Sequence, residues 1–235
     1  MTRGEIKTEI LVRSGKDTTS AWTSEAFLND WINQYHKWAA GYKPWPWTEG
    51  RTSTTYAGTE ELTFEGYKAD SFRIVTVGGK TMQKIRFEDY LKFKEDYPSK
   101  PDKVFSDFAG IMYVNTLADV SGTMICYGQY VPANIPDGDG SSGDDAETVF
   151  TPNGDEGNQA IIESVLANIA YRDSDKQTAL VHQKNAMALL DILWQRVGDE
   201  QYAYQAKNKT MFKYFDVQRG GYPESLFNRD QFGIS

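Results

Sequence analysis

Residues 23–48 read TSEAFLNDWINQYHKWAAGYKPWPWT, and the two halves of that stretch follow different rules. In the first half Phe27, Leu28, Trp31, Ile32, Tyr35, Trp38 and Ala39 recur at the i, i+3, i+4, i+7 spacing of one helical face. Thr23 or Ser24 can cap its start, and Glu25 suits the positive end of the helix dipole. In the second half Gly41, Pro44 and Pro46 end the helix, because proline lacks an amide donor and restricts the residue before it. Trp45 and Trp47 then have two possible fates, a stacking platform for a sugar or a buried elbow. A carbohydrate module would normally be all-β and carry its rings on a sheet face. Here they follow a helix end, in a segment too short and stiff to be a pocket on its own. The sequence favours the elbow, with Trp45 and Trp47 packed on Trp31 or Trp38 to fix the angle at which the chain leaves the helix.

Beyond the elbow the apolar period changes. Leu62–Phe64, Ser71–Val77, Lys80–Ile85, Ile111–Asn115 and Thr123–Val131 are short runs rich in β-branched and aromatic residues. Gly78-Gly79, between FRIVTV and KTMQKI, supplies the positive φ angles of a two-residue hairpin. A short helix is expected around Phe87, Tyr90, Leu91 and Lys94, and a turn over Val120–Gly122 between the last two strands.

Helical spacing brackets this region on both sides. Upstream, Glu5–Val12 carries Ile6, Ile10 and Leu11; downstream, Gln159–Tyr171 sets Ile161, Ile162, Val165, Leu166 and Ile169 on one face. Ser174 and Gln177 fit a capping box, followed by a helix through Ala179, Ala186, Met187, Leu190, Leu193, Trp194 and Val197 that should end near Gly198. The expected fold class is therefore α+β, a helical bundle formed by the N- and C-terminal segments with an inserted small antiparallel β lobe. Residues 1–50 and 151–200 make the helical body, 51–135 the antiparallel insert, 136–150 an acidic loop and 201–235 a polar tail dotted with aromatics.

Composition narrows the function classes. The 235 residues are 40% hydrophobic and 14% aromatic, enough to fill a core. No apolar run approaches the ~20 residues that cross a bilayer. Charges scattered through MTRGEIKTEILVRSG do not read as a signal peptide. A net charge of −8 argues against non-specific nucleic-acid binding, which needs a basic face. Cys126 is the only cysteine and reads as a small core residue in a strand, so neither an intrachain disulfide nor a cysteine-based zinc site is available. His36 and His182 fall inside expected helices and read as boundary residues, with no metal or catalytic role. The HExxH, GxSxG, P-loop and GxGxxG patterns are all missing.

Asp137, Asp139, Ser141, Asp144 and Asp145 open like a calcium loop, but Ser142 stands where the sharp turn needs glycine and Thr148 where a bidentate Glu belongs. The favoured reading is a flexible, solvated, anionic loop. The 33 acidic residues single out no pair for glycoside chemistry, so the sequence predicts no catalytic residue, metal or cofactor.

The order of parts is similar to a known family. LNDWINQYHKWAAGYKPWPW, then TSTTYAGTEELTF, ADSFRIVTVGGKTMQKIRFEDYLKF and GDEGNQAIIESVLANIAYRDSDKQTALVHQKNAMALLDILWQRV resemble the head-to-tail connector (adaptor) proteins of tailed bacteriophages. The likeness lies in an aromatic segment after the first long helix (Tyr42–Trp47), a strand of the form R-hydrophobic-x-x-V (Arg73–Val77), the Gly78-Gly79 hairpin, the short helix at Phe87–Tyr90 and two closing helices. It spans roughly residues 5–200 and includes no invariant catalytic motif; the acidic loop and the tail have no counterpart in it. The resemblance implies a non-enzymatic virion protein of the neck, assembled in the host cytoplasm. It would form a homo-oligomeric ring, commonly a dodecamer, between the portal protein and the next neck or tail protein. Phage DNA would pass through without specific binding, no membrane would be involved, and the negative charge would favour sliding. Met211, Phe212, Tyr214 and Phe215 would then be the docking anchors of the tail. A carbohydrate-binding or glycoside-cleaving protein using Trp45, Trp47 and carboxylates is the alternative.

Overall fold

The computed structural model describes residues 1–20, 22–136 and 143–219, with side chains described through residue 197. The chain divides into two compact units, Met1–Asp191 and Ile192–Ser235. The class is mixed α and β, with five helices and one seven-stranded sheet among the described residues.

Helix α1 (Arg3–Ser14) starts on a capping box in which Thr2 and Glu5 satisfy each other's backbone amides, and it ends on left-handed Gly15. Helix α2 (Glu25–Tyr42) follows Ser24, whose side chain makes no capping bond. A 3₁₀ turn, Pro46–Thr48, then leads directly into β1 (Glu49–Tyr56). The remaining strands are β2 (Glu61–Thr63), β3 (Ile74–Val77), β4 (Lys80–Lys84), β5 (Val104–Phe108), β6 (Ile111–Val114) and β7 (Gly122–Gln129). Helix α3 (Phe87–Asp96) sits between β4 and β5, and α4 (Asp155–Arg172) and α5 (Lys176–Arg219) close the described chain.

The sheet runs β1-β7-β3-β4-β5-β6-β2. Gly78 (φ 54°) and Gly79 (φ 77°) make the β3–β4 hairpin, pairing Val77 with Lys80. Two features correct the expected antiparallel insert. The pair β4–β5 is parallel, with α3 as its crossover, and the sheet holds two strands, β1 and β5, that alternation does not reveal. The segment Val120–Gly122 joins strands that are not neighbours, because β7 lies between β1 and β3. The sheet buries Val75, Val77, Met82, Phe105, Met112, Val114, Met124 and Cys126 as its core. Burial, then Asp107 beside it, pushes the Cys126 thiol up to about 12, which leaves it protonated and inert.

On the helical side α4 packs against both α1 and α2. Seven consecutive α4 residues, Ala160–Leu166, are buried, so the helix is enclosed nearly all round where the sequence suggests one apolar face. Between α4 and α5 the cap is Asp175, whose carboxylate accepts the Thr178 amide at 3.0 Å. Ser174, the expected cap, instead takes φ 67° in the turn before it. Helix α5 also continues past Gly198 to Arg219, where the sequence suggests a break and a tail. The unit boundary at Asp191 falls within this helix.

Candidate functional site

The elbow is a layered joint. The Trp45 side chain is 0% exposed, and its indole N–H donates to the Ala39 carbonyl at 2.9 Å, turning the chain back onto the end of α2. Trp47 stacks on it with ring centroids 5.2 Å apart and planes within 14°. Phe150 stands edge-on to both indoles, at 5.9 and 6.2 Å. Phe150 in turn lies on Gly157 in the first turn of α4, where a Cβ would come within 2.2 Å of its ring. Trp31 and Trp38, the partners suggested by the sequence, make their own ring pairs with Phe27 and with Tyr35 and Tyr42.

The same joint is bonded to the sheet. The Thr48 hydroxyl donates to Gln129 of β7, the Tyr130 amide donates to the Thr48 carbonyl at 2.9 Å, and the Tyr130 hydroxyl donates to the Trp47 carbonyl at 3.2 Å. One eight-residue stretch thus contacts the end of α2 and strand β7, and meets α4 through Phe150. Trp45 offers no free face to a sugar.

The buried face of α2 is rotated from the aromatic stripe. It comprises Leu28, Asn29, Trp31, Ile32, Asn33, His36, Ala39 and Ala40, which leaves Phe27 exposed and Tyr35 and Trp38 half-buried. Asn33 pairs with the backbone of Ile135 in both directions, accepting its N–H at 2.7 Å and donating to its carbonyl at 3.2 Å. His36, only 3% exposed, lies in the core and not at a boundary; its Nε2 accepts the Val149 amide at 3.2 Å. Burial, then the adjacent Lys37, pulls its imidazole down to about 4.

The flank of the acidic loop is also fixed. Arg3, fully buried, donates from Nε to Asp144 at 3.1 Å and from Nη1 to the Pro136 carbonyl at 2.7 Å. Lys7 reaches Asp144 at 2.7 Å and Glu25 at 2.6 Å. Burial alone would raise the Asp144 carboxyl; the hydrogen bonds and charges of Lys7 and Arg3 outweigh it and hold the group below the usual carboxylate range. Asp144 is therefore a bonded anchor, and the expected solvated loop does not extend to it. Asp137, Asp139, Ser141 and Ser142 lie outside the described residues; Thr148 is buried and bonded to Asn158. Among the described residues no group of three or more His, Cys, Asp or Glu side chains could hold a metal. His182 pairs with Glu163 at 2.8 Å, and Glu163 also accepts from Arg13 at 2.9 Å, a cross-link of α5, α4 and α1.

The first unit carries an open groove of about 400 Å³ between α2, α4 and the start of α5. Tyr35 and Trp38 form one wall, Asn168 and Tyr171 the second, Leu180 and Met187 the third. Tyr171, Leu180 and Met187 are exposed on this face. The groove mixes aromatic and aliphatic side chains with the neutral polar Ser164, Asn168 and Gln183 and one cation, Lys176, and no carboxylate is among its described lining residues. Such a surface can bury apolar area against a partner. Met211, Phe212, Tyr214 and Phe215 fall on α5 by backbone, and their side chains lie outside the described residues.

No family model and no curated protein sequence matches the chain.

Proposed function

We propose that the chain is a structural neck adaptor, one subunit of a homo-oligomeric ring between a phage portal and the next neck or tail protein. Helices α1, α2, α4 and the first half of α5 act in this reading as one body, and the sheet as a lobe inserted between its halves. The observation that carries it is the aromatic joint. Trp45, Trp47 and Phe150 tie helix ends and sheet together at one point, as a part that transmits force between assemblies requires. The exposed groove face supports it, because ring closure needs apolar surface that a lone subunit leaves uncovered. The net charge of −8 suits a conduit that lets DNA slide.

Sedimentation velocity of the full chain, alone and with the portal protein of the same particle, tests this. The proposal expects a closed multimer or a portal-bound ring, and Leu180→Glu should weaken either while leaving the monomer folded. A chain that stays monomeric in both settings counts against it.

A further inference from the structure

We propose that His36 and Asp144 form a proton-operated latch: neutral His36 and charged Asp144 hold residues 143–150 against α2 and α1, and their protonation loosens that segment before the bodies of α4 and the sheet give way. This proposal is independent of the ring reading.

The geometry sets the direction. Because Nε2 accepts the Val149 amide, the neutral ring must carry its proton on Nδ1. Nδ1 is buried and finds no acceptor among the described residues. Adding a proton at Nε2 would face one donor with another and bury an imidazolium with no counter-charge bonded to it. Phe150 meets the same ring edge-on at 6.4 Å, so movement of Val149 also loosens the elbow.

At the other end of the segment Asp144 bonds Arg3 and Lys7, and its backbone carbonyl accepts the Gly4 amide at 2.9 Å. Protonated Asp144 would no longer offer Arg3 and Lys7 a charged acceptor, which weakens the tie between the segment and α1.

The surrounding charges do not compensate. On α2 the charge acting on His36 is Lys37, of the same sign as the imidazolium. From the segment itself come Asp145 and Glu147, and from α1 come Arg3, Glu5 and Lys7. Glu5 is engaged at the Thr2 amide, and Lys7 is shared with Glu25. Of the α4 carboxylates, Asp155 is hydrogen-bonded by Asn158 and Gln159, Glu156 sits in the first turn, and Glu163 is held by Arg13 and His182.

Both groups lose stability in the same direction. His36 has its folded pKa depressed from 6.5 to about 4, so stability falls as pH drops through that window. Asp144 is held below 3.8, so its contribution is present above 3.8 and is lost as pH falls through its folded value.

The test is amide and imidazole ¹⁵N NMR on the full chain from pH 7 down to about 2.5, which passes through the His36 window and enters that of Asp144 below 3.8. The latch predicts that the Val149 amide and its neighbours in 143–150 shift together with the His36 ring, while the amides of Ile162 in α4 and Val75 in the sheet stay in place. In the double variant His36→Gln, Asp144→Asn, both replacements still accept hydrogen bonds but neither titrates, and the response of 143–150 should be lost. A Val149 amide that ignores the His36 titration overturns the proposal. So does simultaneous loss of the Ile162 and Val75 signals, or an undiminished response in the double variant. Should that variant not fold, the parent's titration decides alone.

Discussion

The Phe150 ring occupies the space over Gly157 so closely that a single methyl group there would sit 2.2 Å from its Cδ1. This contact fixes how the α4 start meets the elbow. Gly157→Ala should therefore cost ~1–3 kcal/mol by overpacking, unlike an ordinary helix Gly→Ala change, which stabilises. Paired with Phe150→Ala, the two losses should be strongly non-additive, since removing the ring removes the clash. Urea denaturation of the four proteins in the cycle measures it; additive losses would mean that the ring moves aside.

Trp45→Ala removes a fully buried indole together with its bond to Ala39, and should cost ~3–5 kcal/mol. Trp45→Phe keeps much of the volume but loses the N–H donor, and should fall between parent and Ala. Thermal unfolding orders the three. Trp45→Ala melting like the parent while losing oligosaccharide binding would favour a sugar platform instead.

The hairpin glycines separate two causes of strain. Both take positive φ, but a Cβ on Gly78 would meet the Ser121 carbonyl at 2.3 Å, whereas nothing lies within 4 Å of one on Gly79. Gly79→Ala should cost ~1 kcal/mol for the left-handed backbone alone. Gly78→Ala should cost clearly more. Equal effects in denaturant would show that the Ser121 loop yields.

Two carboxylates should respond oppositely to the same substitution. Burial raises the Asp107 carboxyl despite the Phe72 amide at 2.8 Å and nearby Lys84, so its ionised form is disfavoured in the fold. The charge therefore costs stability as pH rises above 3.8, and Asp107→Asn should gain stability at pH 7, the gain vanishing on acidification. Asp144→Asn should lose ~1–3 kcal/mol at pH 7, because two cations lose a charged acceptor. That loss should shrink as pH falls from 3.8 toward the lower value at which the folded parent's carboxyl takes up its proton. Melting temperatures across pH 3–7 test the opposite signs.

The helices were legible because their apolar spacing is local, and the Gly78-Gly79 hairpin because its turn chemistry is. What escaped the sequence depends on distant partners. Strand β1, GRTSTTY after Glu49, is an edge strand with only Tyr56 buried, so it shows no apolar alternation. Strand β5, VFSDF, is buried on both faces and carries an aspartate that reads as loop. Asp144 looks solvated by composition, yet Arg3 reaches it from 141 residues away. The groove was hidden because the core-facing side of α2 includes Asn29, Asn33 and His36, which displaces Tyr35 and Trp38 outward. No periodicity rule anticipates polar residues on the inner face of a helix; Asn33 and His36 are there to bond backbone from another part of the chain.

Electron microscopy of assemblies formed by the full chain with its portal tests the central claim most directly. The adaptor account predicts a closed ring of copies around an axial channel, with the Tyr35–Trp38 groove covered by a neighbouring subunit. Isolated single copies, with that groove open to solvent and no portal attached, would contradict it.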